Sequence, residues 1–275
     1  MNVQRFAAFS DGDTGGNPAG VVLCDRLPPA ELMQQVAAEV GYSETAFAAP
    51  SGDGWRVRYF APQVEIPFCG HATIALGAAL AQENGEGVFP LQLNDSAITV
   101  EGRRTGPVMS AALQSPPTRN APASADRVAE AQALFALSAS DLDPRIPPAI
   151  ANAGANHLIL ALRRRERLSQ MAYDLESGRA FMAAAALATV SLIVAETVQL
   201  FHARNAFAVG GVYEDPATGA AAAALGGYLR DLAWPHDGAI DIVQGEDMGM
   251  RSLLHAQIPP EPGSSIRVSG TVRRL

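Results

Sequence analysis

A chain of 275 residues accommodates one large or two medium domains, and its 48% hydrophobic share lets either arrangement bury a substantial core. The formal net charge of −8 excludes nucleic acid and an anionic membrane surface as main partners, which leaves a small molecule. All basic residues are Arg, with no Lys anywhere in the chain. That absence excludes Schiff-base catalysis, lysine-tethered pyridoxal phosphate and the P-loop.

Two cysteines, Cys24 and Cys69, are too few for a disulfide framework, and the opening MNVQRFAAFS lacks the basic start and apolar run of a signal peptide. The expectation is a cytoplasmic protein. The longest apolar run, Ala180 to Ala195, carries Thr189 and Ser191 and falls short of the roughly 20 residues of a membrane span, so it reads as a helix followed by a strand.

In chain order, Val3 to Phe9 and Ala19 to Leu23 have strand character. The turn-rich loop Asp11 to Pro18 between them is not a dinucleotide fingerprint. Pro28 and Pro29 open a helix whose apolar positions Leu32, Met33, Val36, Ala37 and Val40 recur at helical spacing, and Gly41 ends it. Arg56 to Phe60 is a strand, and Pro62 and Pro67 bracket a loop before the helix that starts at Gly70. Ile98 to Val100 and Val108 to Leu113 close the first half. The proline-rich stretch Ser115 to Ser124 predicts an extended connector. Ile258 to Ser264 predicts a second one, so that Ile266 to Arg273 returns as a strand to the first domain. The domains are then 1–115 with 265–275, and 119–262.

GHATIALGAAL from Gly70 and GAAAAALGGYL from Gly219 match glycine for glycine, with Ala72/Ala221, Ala75/Ala224, Leu76/Leu225 and Leu80/Leu229 in step. Such self-similarity marks a duplicated unit. Val57 to Phe60 leads into the first copy and Val198 to Phe201 into the second, and Asn156-His157-Leu-Ile-Leu-Ala161 echoes Asn17-Pro18-Ala-Gly-Val-Val22. Helices with almost no polar face are enclosed on all sides, so each is the core of its own half. Their N-termini present unpaired amide donors and the positive end of the helix dipole. Two such ends facing one cleft would hold a carboxylate.

Five blocks, GNPAGVVL from Gly16, SETAF from Ser43, FCGHATIALG from Phe68, EDPATG from Glu214 and QGEDMG from Gln244, together resemble the PhzF-like phenazine-biosynthesis family. The resemblance implies an α/β, diaminopimelate-epimerase-like fold. In it two pseudo-repeated domains each wrap a curved mixed sheet around a central apolar helix, with the active site in the cleft between them. It also implies a homodimeric, cofactor-free isomerase that shifts a proton on a small carboxylate-bearing substrate.

Glu44 matches the family's catalytic Glu. Its residue type alone reads as a solvated or capping carboxylate, whereas proton transfer in both directions requires partial desolvation so that its pKa rises toward the working pH. Tyr42, Ala46 and Phe47 are compatible with that. His71, just inside the first central helix, matches the family's active-site His, and the helix dipole there disfavours imidazolium. Asp215 matches the family's acidic residue before the second helix and is expected, with His71, to position or relay the proton as part of the catalytic set, although Asp followed by Pro216 is also a good N-cap pair. Asn17, Gly70, Thr218, Gly219 and Ala220 are the expected substrate-binding positions. Ala220 departs from the Ser usual in the family and removes a hydroxyl, while backbone amides remain.

Cys69 raises a rival, an epimerase or racemase that uses this thiol, but no second thiol stands at the matching position Asp215 to Thr218, and Cys69 reads as a small buried hydrophobe. A further alternative is a ligand-binding or interaction protein on the same fold without turnover. His157, His202, His236 and His255 show no metal-ligand spacing, so no metal is expected. The run Arg163 to Arg167 reads as a solvated helix face or loop.

Overall fold

The computed structural model describes residues 1–275. The chain divides into two compact units, Met1–Gln114 with Val268–Leu275, and Ser115–Arg267.

In the first unit, strands β1 (Gln4–Ala8), β2 (Asn17–Leu23), β3 (Thr45–Ser51), β4 (Gly54–Phe60), β5 (Glu65–Ile66), β6 (Gly87–Gln92), β7 (Ala97–Thr105) and β8 (Val108–Gln114) accompany helices α1 (Ala30–Val40) and α2 (Gly70–Asn84). β1 pairs antiparallel with β2, β2 parallel with β3, β3 antiparallel with β4, and β4 parallel with β6. β6, β7 and β8 continue as an antiparallel meander. The C-terminal strand Arg267–Arg274 pairs with both β1 and β8 and closes the ring. α2 touches β1, β2, β3, β6, β7 and β8, and every residue from Gly70 to Ala81 is buried. A helix of Ala, Gly and Leu has no face to offer water, so strands must surround it.

Close approach is what the glycines allow. A Cβ on Gly102 of β7 would run into the Gly77 carbonyl and lie 2.7 Å from Ala81 Cβ, and one on Gly77 would lie 2.5 Å from Val100 Cγ2. α1 covers the outer face of the sheet, where Met33, Val36 and Ala37 pack with Val22, Phe47 and Phe60. It starts after Pro29 and ends at Gly41 in the left-handed conformation, φ 70°.

The second unit holds β9 (Arg119–Pro122), α3 (Ala125–Leu134), β10 (Ala149–Asn152), β11 (Asn156–Ala161), α4 (Arg165–Ser169), α5 (Leu175–Ala184), β12 (Thr189–Ala195), β13 (Leu200–Ala206), β14 (Glu214–Asp215), α6 (Gly219–Asp231), β15 (Ala239–Gln244) and β16 (Ser252–Gln257). Its pairing repeats that of the first unit: β10 antiparallel to β11, β11 parallel to β12, β12 antiparallel to β13, β13 parallel to β15, β15 antiparallel to β16. α6 touches β9, β10, β11, β15 and β16 and is buried at Gly219 and from Ala221 to Leu229. α3, α4 and α5 contribute to a separate core on the other face, with Phe135, Leu168, Met182, Leu158, Val190 and Leu192 at its centre.

Two sequence expectations need correction. The stretch Ser115 to Ser124 is not only a connector, because Arg119–Pro122 forms β9 against β10, with Pro122 ending the strand where its missing N–H is spared. β6, which contains Pro90, was not read from the sequence. The run Arg163 to Arg167 is largely exposed as expected, but two of its members are tied down: Arg165 pairs with Glu246 and Asp247 at 2.9 Å each, and Arg167 donates to the carbonyls of Phe135 (3.1 Å) and Ala136 (2.5 Å).

The register of the repeat is also different. The ladders set Phe60 opposite Glu65 and Ala206 opposite Glu214, so Val57 to Phe60 corresponds to Ala203 to Ala206 and not to Val198 to Phe201. The same ladders match Thr45 with Val190 and therefore Asn156 with Pro18, one residue away from Asn17. The loop before the second helix, residues 207–213, outgrows its counterpart 61–64, but by less than the match to Val198–Phe201 requires.

Replacing Gly102 by Ala forces α2 and β7 apart and is expected to lower unfolding free energy by about 1–3 kcal/mol. Gly87→Ala, whose added methyl meets only Phe89 at 3.9 Å, stays within about 0.5 kcal/mol. Urea midpoints of the two variants check the difference.

Candidate active site

Glu44 immediately precedes β3, and the Gly20 amide donates to its carbonyl at 3.2 Å, which extends the β2–β3 ladder by one step and fixes the Glu44 backbone. Glu44 is 5% exposed. Its Oε2 lies 3.2 Å from His71 Nε2, an ion-pair distance without hydrogen-bond alignment, so that this buried oxygen has no hydrogen-bond donor aimed at it. Burial pushes the carboxyl pKa above the ordinary glutamate value, and hydrogen bonds from Ser43 and Cys69 pull in the opposite direction without overcoming it.

His71 sits in the first turn of α2, equally buried, with Ser43 Oγ 3.4 Å from its Nε2 and Cys69 Sγ 3.4 Å from its Nδ1. Cys69 is the N-cap of α2 in extended conformation and gives no side-chain cap. Instead Thr73 braces the turn, donating from Oγ1 to the Cys69 carbonyl at 2.6 Å. Its single hydroxyl proton is thereby used, so the Tyr59 hydroxyl is the donor in the 2.7 Å bond between them. The structure thus brings Glu44, His71 and Gly70 together. It also corrects the reading of Cys69, which is no mere apolar filler: its thiol, the imidazole and the carboxylate have their ligand-type atoms within 4.8 Å of one another. Mutual hydrogen bonds account for that spacing.

In the second unit, Asp215, Thr218, Gly219 and Ala220 gather at the start of α6. Asp215 is buried on β14, and Thr218 Oγ1 donates to its carboxylate. Gln244, at the end of β15, clamps this loop: its Nε2 donates to the Asp215 carbonyl (2.6 Å) and to Thr218 Oγ1 (3.0 Å), while its Oε1 accepts from the Thr218 amide (3.2 Å). Sequence reasoning quoted the QGEDMG block but assigned Gln244 no role. Asn17, 1% exposed, begins β2 opposite Ala8.

Another buried chain went unnoticed in the sequence. Thr189 Oγ1 donates to Asn205 Oδ1 (3.1 Å) and therefore accepts from His157 Nδ1 at 2.7 Å, which makes His157 the Nδ1–H tautomer. Burial lowers the His157 pKa to about 4, so the ring is neutral. His157 Nε2 and Asn205 Nδ2 remain without partners. By register Thr189 occupies the position of Glu44.

The sheet-dominated mixed α/β fold with six helices is that of the PhzF and epimerase proteins. A family profile described as phenazine biosynthesis-like protein matches residues 6–272, and the chain belongs to this PhzF family. Among its relatives, the uncharacterized isomerase YddE of Escherichia coli O157:H7 is 31% identical over 276 residues, covering 93% of this chain and 89% of the relative. The trans-2,3-dihydro-3-hydroxyanthranilate isomerase of Pseudomonas aeruginosa is 31% identical over 271 residues, covering 96% and 93%. A solved structure of a predicted epimerase from the same organism superimposes with a TM-score of 0.86 at 25% identity, covering 99% and 96%.

A carboxyl whose native pKa is raised is most tolerated when protonated. Its contribution to stability is complete below the ordinary glutamate value of 4.5 and is lost as pH rises through the elevated native value. Glu44→Gln removes this loss. The variant is expected to melt higher than the parent at about pH 8 and to show no such gain at about pH 4, which a melting series across pH checks.

Proposed function

We propose that this protein is a cofactor-independent isomerase in which Glu44 removes a proton from one carbon of a small carboxylate-bearing substrate and returns it to another. The observation that carries this reading is the buried Glu44 carboxylate, raised in pKa, with an unpartnered oxygen beside His71. Ionised, it accepts a proton from carbon. Once protonated, it is a strong enough acid to give the proton back. Negative charge that develops on the substrate spreads into its own carboxylate, and the first-turn amides of Gly70 and His71, at the positive end of α2, are oriented to stabilise it. His71 relays or positions, with Nε2 toward Glu44 and Nδ1 toward Cys69.

On this reading Asp215, steadied by Thr218 and Gln244, positions or relays alongside His71, while Asn17, Gly70, Thr218, Gly219 and Ala220 contact the substrate. The pseudo-symmetric positions favour a single acid/base group. Where the first unit carries Glu44, Cys69 and His71, the second carries Thr189, Thr218 and Ala220, none of which exchanges a proton near neutral pH. A two-thiol epimerase would need a second Cys at Thr218. One group that removes and returns the proton suits a double-bond shift on one face of the substrate.

Trans-2,3-dihydro-3-hydroxyanthranilate, the compound named for one relative, and a panel of small amino and hydroxy acids are the first candidates. In D₂O the parent protein is expected to place deuterium on the product carbon, and Glu44→Gln to slow this by about 10²–10⁴-fold. Wash-in that persists unchanged in Glu44→Gln overturns the assignment. A ligand that raises the melting temperature with no exchange in any candidate selects a binding protein instead.

A further inference from the structure

We propose that two arginine–glutamate pairs, Arg58–Glu65 and Arg204–Glu214, are one positioning device used twice, each pinning the loop that enters the central helix of its unit. The functional half of this inference rests on the isomerase reading. The positional half stands without it.

The two pairs occupy the same place in the duplicated scaffold. Arg58 precedes Tyr59, which faces Ile66, and Arg204 precedes Asn205, which faces Asp215. Each glutamate opens a two-residue strand. Each lies the same distance ahead of a helix, Glu65 before Gly70 and Glu214 before Gly219. The geometry repeats as well. Arg58 donates from Nε to Glu65 Oε1 at 2.8 Å and from Nη2 to Oε2 at 2.5 Å, and Arg204 does so to Glu214 at 3.0 and 2.5 Å. A planar guanidinium met by both carboxylate oxygens fixes orientation as well as distance.

The need for such an anchor follows from the ladders. A strand of two residues has few backbone bonds to hold it, yet it sets the path of the residues that follow, which are Pro67 to His71 in one unit and Pro216 to Ala220 in the other. The glutamate adds two charged hydrogen bonds at that point. Asn94 reinforces Glu65 at 2.7 Å, and Arg204 Nη1 is itself held by the Ser169 carbonyl at 2.9 Å. The side chains of Arg204 and Glu214 are only 10% and 3% exposed, against 22% and 26% for Arg58 and Glu65. The second pair is screened less by water and is the stiffer clamp. These four are positioning residues: each acts through its loop.

Hydrogen exchange read by mass spectrometry on the full-length protein separates local loosening from general weakening. Glu214→Gln is expected to speed exchange of amides in 214–221 by about tenfold or more, and Glu65→Gln to do so less strongly in 65–72, with the rest of each unit unchanged. Unchanged loop exchange in Glu65→Gln overturns the proposal, as does acceleration spread evenly over a unit. Should Glu214→Gln fail to fold, the more exposed Glu65→Gln carries the test. Deuterium wash-in on Glu65→Gln is expected to fall together with loop protection. Loosened loops in a protein whose parent form shows no wash-in support the positioning device and overturn the isomerase reading.

Discussion

A helix without a polar face must be surrounded, and meeting that requirement fixes where the site residues of each unit stand. α2 is covered along Gly70 to Ala81, and Gly77 and Gly102 let its backbone meet β7 at a distance that any side chain would prevent. The free amides of such a helix lie in its first turn, so that turn is the place where a ligand can meet helix amides. Neither N-cap side chain, Cys69 or Thr218, caps its own helix. Thr218 is turned toward Asp215, and Cys69 toward His71. The N-cap side chains are therefore committed to their neighbours, and the loops that carry them are held by Arg–Glu forks.

The same scaffold carries different chemistry in its two copies. Glu44 and Thr189 share a register position, as do Tyr59 and Asn205, and Ala19 and His157. In the first unit this position holds a carboxylate whose ionisation is disfavoured by burial. In the second, a chain from neutral His157 through Thr189 to Asn205 occupies it without charge. Burying an unpaired carboxylate is costly, and two of them would strain a protein of ordinary stability. With uncharged hydrogen-bonding groups at the matching position of the second copy, that cost falls on Glu44 and not on Thr189.

The helices were the most legible part of the sequence. Pro29 and Gly41 bracket α1, and the Ala, Gly and Leu runs declare α2 and α6 as enclosed, because composition and capping act locally. Glu44 and His71 were legible only through the motif blocks, since neither residue type distinguishes a catalytic from a capping role. β6 and β9 were hidden by Pro90 and Pro122, which local rules count against strands although a ladder with the right partner tolerates them. The repeat was plain in the helices and misaligned in the strand before α6, because Val198 to Phe201 resembles Val57 to Phe60 and sequence spacing cannot say how much extra chain the loop 207–213 absorbs. Gln244, Arg204 and the His157 chain stayed invisible for a related reason. Their roles lie in contacts across strands, such as Gln244 to Asp215, that only the folded sheet creates.

Cys69 shows why the poise of Glu44 depends on its whole surroundings. Desolvation raises the carboxyl pKa, while hydrogen bonds from Ser43 and Cys69 favour the ionised form and restrain the rise. Ser43 is fixed by adjacency, and Cys69 by the bracing of its carbonyl through Thr73 and Tyr59. A thiol is a weak donor, so its hold on a carboxylate is slight, and that suits a group that must be willing to take a proton. A stronger donor at position 69 would favour the ionised form of Glu44 further, and loss of the thiol would leave desolvation opposed by Ser43 alone. The residue that first reads as a small hydrophobe thus joins burial and Ser43 in setting how readily Glu44 changes charge.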